Sequence, residues 1–152
     1  MFDVLVFVYE HCRQADLATD PDRVARRLTA AGFGEADISA ALSWLAGIAR
    51  APRRAKAPLA ARPRSFRVFA PRETAKLETA ARGFLLALEQ SGILSAQSLE
   101  LVLERALATS DFRLGIDQIR LIVLMVLWNQ CAPASQLVAE ELRSAGHERL
   151  PH

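Results

Sequence analysis

The chain has 152 residues, of which 51% are apolar and 24% are charged, with a formal net charge of +2 at pH 7. This composition argues against an intrinsically disordered chain, which is poor in apolar residues and far from neutral. The longest apolar run, residues 121–128, is eight residues long. A membrane span needs about 20, so no membrane-spanning helix is expected.

The first 50 residues predict three helices and an N-terminal tri-helical lobe. Apolar residues spaced along one face indicate a helix over residues 2–14. Asp20-Pro21 is typical of a helix start, because Asp caps free amides and Pro tolerates the first helical position. That helix is expected to end at Gly32, and a third helix is predicted over residues 35–49.

Helical periodicity disappears between residues 51 and 65. Pro52, Pro58 and Pro63 stand among Ala and Arg, a pattern that favours extended chain and predicts a linker between two lobes. Residues 66–69 follow, with Arg67 their only polar residue. They indicate a short strand or an extended docking segment that ends at Pro71.

Residues 66–152 predict a C-terminal helical lobe. A long helix is expected over residues 72–91, with Gly83 marking a close helix–helix approach and Gly92 the end. Ser95 can cap the next helix, and the apolar spacing typical of that helix is lost at residues 111–115. A helix over 116–131, apolar nearly all round, is expected at the centre of the core. A last helix is predicted from Pro133 to Gly146. The predicted fold is all-α: six main helices in two three-helix lobes packed together, joined by an extended basic Pro/Ala/Arg linker with at most one short strand.

The positive charge is concentrated in one segment. Residues 50–72 hold eight of the 19 Lys and Arg residues and no acid, which leaves 11 basic residues against 17 acidic ones elsewhere. The eight residues are candidate contacts for phosphate or an acidic partner: Arg50, Arg53, Arg54, Lys56, Arg62, Arg64, Arg67 and Arg72. Phe66 and Phe69 are available for stacking on bases of a single strand. The alternative is a solvated linker whose charge aids solubility or pairs with acids on the lobes.

Several short stretches resemble the Smg protein family. They are residues 1–5, 31–33, 37–38, 41–45, 82–86, 88–90 and 124–127, in the family's order and spacing but outside the 51–65 linker. The resemblance implies a small bacterial cytoplasmic protein without an established activity, cofactor or catalytic residue.

Residues 20–49 also have the outline of a helix-turn-helix DNA-binding motif. However, Glu35 and Asp37 lie in the first turn of the would-be recognition helix, where carboxylates repel phosphate. Only Arg23, Arg26 and Arg27, on the preceding helix, suit a backbone contact. A packing module that shares the outline is the favoured interpretation.

The sequence indicates no catalytic, cofactor or metal site, and we expect a protein that is not an enzyme. His11 and Cys12 are adjacent, so on a helix they diverge by about 100° and do not chelate one ion together. Cys12 and Cys131 form no Cys-x-x-C pattern and are expected to be free thiols in a reducing cytoplasm. The start of the chain lacks the basic residues of a secretion signal.

A protein partner is the remaining candidate, and its identity and the oligomeric state stay open. The predicted helices 2–14 and 72–91 have wide apolar faces, and Trp44, Phe84 and Trp128 are typical anchors when exposed. Core packing is the default for all three. The predicted function is a non-enzymatic cytoplasmic adaptor or accessory protein, and the alternative is a nonspecific nucleic-acid-binding accessory factor in DNA processing that uses residues 50–72.

Overall fold

The computed structural model describes residues 1–12, 14–51 and 68–130. Over these residues the protein is all-α, as predicted, with eight helices and no strand. Six main helices had been expected; the higher number arises because the predicted helix over residues 72–91 divides in two and because α2 forms between the first two predicted helices. The helices are α1 Phe2–His11, α2 Gln14–Thr19, α3 Pro21–Ala30, α4 Glu35–Ala49, α5 Pro71–Lys76, α6 Thr79–Gln90, α7 Ala96–Leu107 and α8 Ile116–Gln130.

The first predicted helix, residues 2–14, is wrong at its C-terminal end. α1 stops at His11, and Cys12 has an extended backbone with φ −113° and ψ 147°. This residue redirects the chain into α2, which packs on α3. The wide apolar face predicted for this segment buries Val4, Leu5 and Val8.

The helix starts and stops that rest on local chemistry are confirmed. The Asp20 carboxylate accepts a hydrogen bond from the Arg23 backbone N–H at 2.9 Å, and Pro21 is the first residue of α3. Gly32 has φ +95°, a left-handed conformation that glycine adopts without strain. The hydroxyl of Ser95 likewise accepts from the Ser98 N–H at 3.0 Å at the start of α7.

The predicted helix over residues 72–91 is wrong, because it divides into α5 and α6. Leu77 is extended and pairs with Leu114 as an isolated parallel β-bridge. The Glu78 N–H donates to the Leu114 carbonyl at 3.0 Å, and the Leu114 N–H donates to the Lys76 carbonyl at 2.7 Å. Hydrogen bonds to a distant segment thus replace those of a continuous helix.

Gly83 does not mark a close helix–helix approach. It is exposed, and a Cβ at this position would have no atom within 4 Å. The buried residues of α6 are Ala81, Leu85 and Leu88. Gly83 is two residues from both Ala81 and Leu85, so it lies about 200° around the helix from them, away from the buried face.

The short strand predicted over residues 66–69 falls only in part on described residues. Val68 and Phe69 belong to no strand, whereas Phe66 and Arg67 lie outside the described residues. The last predicted helix, from Pro133 to Gly146, also lies outside them.

α8 is the central element of the core, as predicted. It packs on α1 and α4 from the first half of the chain and on α6 and α7 from the second. Ile119, Ile122 and Met125 are fully buried, and all described helices except the short α2 and α5 contribute residues to the same core cluster. The division of the chain into lobes at 1–50 and 66–152 stays a prediction.

Candidate functional site

The structure describes two of the eight predicted basic contact residues. Arg50 directly follows α4 and Arg72 is the second residue of α5, and both side chains are exposed. The other six lie outside the described residues: Arg53, Arg54, Lys56, Arg62, Arg64 and Arg67. The proposed contact set therefore begins and ends on surface positions, at the end of one helix and the start of another.

The helix-turn-helix outline is present in α3 and α4. Glu35 and Asp37 are exposed in the first turn of α4, and Asp37 pairs with the amino group of Met1 at 3.2 Å. Exposed carboxylates in the first turn of the would-be recognition helix repel phosphate, which disfavours major-groove binding. On the opposite face α4 packs against α1, α3, α7 and α8, as a packing module would.

The aromatic residues proposed as partner anchors are packed against neighbouring groups. Trp44 is 4% exposed, and its indole N–H donates to the Arg105 carbonyl at 2.9 Å. Phe84 is half-buried under the Arg120 guanidinium, 5.6 Å from its ring centroid, and the half-buried Trp128 meets Tyr9 edge-on at 5.9 Å. The expected packing in the core is therefore observed for Trp44.

A second set of aromatic residues reaches the surface beside α1. The rings of Phe7 and His11 stack with centroids 4.3 Å apart, and Phe33 meets Phe7 edge-on at 5.6 Å. Val6, one residue before Phe7, is 40% exposed. We call these four residues the α1 aromatic face. Helical periodicity within residues 2–14 carries no signal that connects Phe7 with Phe33, which comes 26 positions later.

His11 and Cys12 are not arranged as a metal site. The His11 ring Nδ1 lies 3.1 Å from the Phe7 carbonyl oxygen, and the Cys12 thiol is buried. Burial raises the pKa of the Cys12 thiol above its ordinary value, while the positive charge of Arg27 opposes this rise and the negative charge of Asp16 adds to it. Across residues 1–12, 14–51 and 68–130 no group of three or more His, Cys, Asp or Glu side chains could hold a metal ion.

Phe112 is the most exposed large apolar side chain among the described residues, at 92% exposure. It lies in the loop that joins α7 to α8, residues 108–115, which we call the α7–α8 loop. In the sequence, residues 111–115 indicate only a break in helical periodicity. The signal that could have identified Phe112 was an aromatic residue between two charged ones, Asp111 and Arg113, in a loop. Functional residues concentrate on loops held by a rigid scaffold.

The α7–α8 loop is held in place by α5. The Lys76 ammonium donates to the backbone carbonyls of Thr109, at 2.8 Å, and Asp111. The bridge between Leu77 and Leu114 fixes the other end of the loop. Thr109 is buried, and its hydroxyl donates to the Ala106 carbonyl at 2.8 Å. The Phe112 ring is therefore carried by a loop whose backbone is anchored on both sides.

Among the described residues, none of the helices α1 to α8 combines the length and the apolar character that a membrane-spanning helix needs.

Comparison with known proteins confirms the resemblance noted in the sequence. Residues 1–152 match a family described as "Protein of unknown function (DUF494)". The chain is 42% identical to "Protein Smg homolog" of Aromatoleum aromaticum, over 99% of this chain and 97% of that protein. Proteins of the same name are similar to it in Bordetella avium, at 39% identity over all of both chains, and in Methylococcus capsulatus, at 37% identity over 99% and 95%. No solved structure matches the chain. Matches that span nearly the whole length of both partners show that the chain belongs to the Smg family of bacterial proteins.

Proposed function

We propose that this protein is a non-enzymatic accessory protein of the bacterial cytoplasm, and that it acts as an adaptor by binding a protein partner. The observation that carries the proposal is the α1 aromatic face. Phe7 and Phe33 are half-buried, so their rings are held from below by the core while their outer edges stay in contact with solvent. Aromatic side chains held in this way lose little conformational entropy on binding, which favours them as interface anchors.

The charges beside the α1 aromatic face indicate the kind of partner. Asp3 and Glu10 are exposed on α1, and on the helix both project between Val6 and His11. An apolar surface interleaved with acids is complementary to a surface that combines apolar and basic residues. We therefore propose a protein partner with a basic rim around an apolar centre.

Site-specific photocrosslinking in the cell tests this function. A photoreactive side chain at Val6 should form a covalent adduct with a discrete protein, and the same group at Arg26, an exposed residue of α3, should not. Val6→Lys combined with His11→Lys should weaken binding to the protein identified in the adduct at least tenfold, because it places basic residues against the partner's basic rim.

Both substituted positions are at least partly exposed, so the helical circular dichroism and melting temperature should match those of the unsubstituted protein. The adaptor function is rejected when adducts form equally at Val6 and Arg26, or when the double variant binds the identified protein with unchanged affinity.

Nonspecific nucleic-acid binding is a second candidate function, and one observation favours it. The basic run of residues 50–72 ends at Arg72 on the first turn of α5, and α5 holds the loop that carries the exposed Phe112 ring. The proposed phosphate contacts are the eight residues named above: Arg50, Arg53, Arg54, Lys56, Arg62, Arg64, Arg67 and Arg72.

Binding to labelled single-stranded and duplex DNA at low and moderate salt tests this second function. Affinity built on phosphate contacts should fall with salt, with a log–log slope of about −0.9 per contact on duplex DNA. Neutralising the six basic residues between Arg50 and Arg64 should remove most of the affinity. Affinity that does not change with salt, or that survives this neutralisation, counts against the second function.

A further inference from the structure

The α7–α8 loop exposes an aromatic ring where burial would have been favourable. Phe112 is 92% exposed, whereas Leu114, two residues later, is fully buried. The free energy that burial of a Phe side chain contributes, about 1.5–3 kcal/mol, is therefore not realised within this fold. The ring is a surface group on an anchored loop.

The anchoring reduces the entropy that binding would cost. Lys76 donates to two carbonyls of the loop, and the Gly115 N–H donates to the side-chain oxygen of Gln118 at 3.0 Å. A loop already ordered before it meets a ligand loses little freedom on contact.

Two exposed arginines lie on the segments that carry and hold the ring. Arg113 is its chain neighbour and is exposed. Arg72 lies one helical turn before Lys76, which touches the loop, and residues four apart lie on the same face of a helix. On α5 and the α7–α8 loop the exposed charged side chains are these two arginines, since Glu73 is buried and Lys76 and Asp111 are half-buried. Glu78 is the exposed acid of the adjoining turn.

We propose that Phe112, Arg113 and Arg72 form a contact site for single-stranded nucleic acid, in which a base stacks on the Phe112 ring and the two arginines bind flanking phosphates. The proposal rests on the second candidate function and assigns its base-contacting residue. Stacking on an exposed aromatic beside a basic track is the usual mode of sequence-independent single-strand binding.

The immediate surroundings of the ring favour a nucleic acid over a protein pocket. Asp111 and Arg113 flank Phe112 in the chain, and Ser110 is exposed. A protein hot spot needs neighbouring contacts that exclude water, whereas a stacked base leaves its sugar and phosphates hydrated. The α1 aromatic face, where apolar groups adjoin, fits the protein partner better.

Two probes of equal charge separate stacking from simple phosphate binding. One is a labelled oligothymidylate of about 16 nucleotides, the upper end of single-strand site sizes, and the other is an abasic strand of the same length. Phe112→Leu should weaken binding of oligothymidylate at least about fivefold, because its bases lose their stacking partner. Binding of the abasic strand, which has no base to stack, should be unchanged. Phe112→Trp should restore the affinity.

The two arginines should instead change how the affinity for the strand depends on salt concentration. Arg113→Gln and Arg72→Gln should each reduce the log–log salt slope by about 0.7, the value for one single-strand phosphate contact, while Phe112→Leu leaves the slope unchanged. Leu107→Ala, at an exposed apolar position of α7, and Arg82→Gln, at a partly exposed arginine of α6, are the controls and should change neither quantity. All variants should keep the melting temperature of the unsubstituted protein.

The outcomes separate this site from the second function as a whole. If Phe112→Leu binds oligothymidylate with unchanged affinity, the proposed site is overturned. If neutralising the basic residues of 50–64 abolishes binding in the same assay, nucleic-acid binding remains as the second function, but without a contact at Phe112. Equal affinity of the unsubstituted protein for the two probes also overturns the stacking contact. Absence of binding to either probe at low salt, or photocrosslinking from position 112 to a protein instead of the strand, rejects the site altogether.

Discussion

Trp44 and Arg105 join α4 to α7 through hydrogen bonds to each other's backbone. The indole N–H donates to the Arg105 carbonyl at 2.9 Å, and Nη1 of Arg105 donates to the Trp44 carbonyl at 3.3 Å. The guanidinium fits because Gly47 has no side chain: a Cβ there would lie 1.8 Å from Arg105 Nη1. Gly47 thus has a packing role in the last turn of α4, inside a helix, where glycine is otherwise unfavourable.

Gly47→Ala should have opposite effects in two backgrounds. With Arg105 present, the methyl group displaces the guanidinium from its partner carbonyl, and the free energy of unfolding should fall. With Arg105→Ala, only the gain in helix propensity remains, and the same substitution should stabilise by about 1 kcal/mol. Urea denaturation of the four proteins of this cycle should give a coupling energy of at least about 1 kcal/mol. Equal effects of Gly47→Ala in both backgrounds would contradict the packing role.

The Cys12 thiol should be protonated and unreactive in the folded protein. Its pKa is raised by burial, so its contribution to stability is present below the ordinary thiol pKa of about 8.5 and is lost as the pH rises through the higher value of the folded state. In a Cys131→Ser background, a disulfide reagent should label Cys12 slowly until urea unfolds the protein. The stability difference between this protein and its Cys12→Ala derivative should shrink above about pH 8.5. Fast labelling at neutral pH, or a difference independent of pH, would show that the thiol is accessible.

At the level of the helices, α5 and α6 are separated at Leu77 and Glu78, a break that the apolar periodicity of residues 72–91 does not predict. The backbone of Glu78, at φ −65° and ψ 156°, is extended, and Thr79 is the first residue of α6. Proline is favoured at the first position of a helix and requires an extended residue before it. A continuous helix over residues 72–91 would instead be broken by a proline at this position.

Thr79→Pro should therefore change the free energy of unfolding by less than about 1 kcal/mol, because the first helical N–H has no partner within the helix. Ala87→Pro, at an exposed position inside α6, is the matched control and should cost about 3 kcal/mol or more. Chemical denaturation followed by far-ultraviolet circular dichroism measures both. A loss near 3 kcal/mol for Thr79→Pro would indicate that α5 and α6 are one helix.

For the whole molecule, α8 connects the two halves of the chain. It contacts α1 and α4 as well as α6 and α7, and Met125 at its centre is fully buried. Met125→Ala should cost about 2–5 kcal/mol, the range for large-to-small changes in a core. Because both halves pack on α8, amide hydrogen exchange in α4 and in α7 should accelerate by the same factor. Acceleration confined to one of these helices would show that the lobes unfold independently.

Much of the fold was predictable because it depends on interactions close in sequence. Asp20, Pro21, Gly32 and Ser95 set helix ends through caps and backbone preferences that involve neighbours within a few positions. The apolar composition of residues 116–130 likewise predicted a central helix before its partners were known. The concentration of basic residues in 50–72 is also a property of the sequence alone.

The tertiary structure decided which of these features come together. The periodicity of residues 72–91 is continuous, but backbone hydrogen bonds of Lys76 and Glu78 to Leu114 replace helical ones and divide the segment. The Lys76 ammonium also donates to carbonyls of the α7–α8 loop. The same contacts place Phe112 beside the helix on which the basic run ends. A pattern within one segment carries no record of bonds to a segment 37 positions away, so the sequence could predict the helices and the charged run, and only the packing of α5 against the loop could associate that run with an exposed aromatic ring.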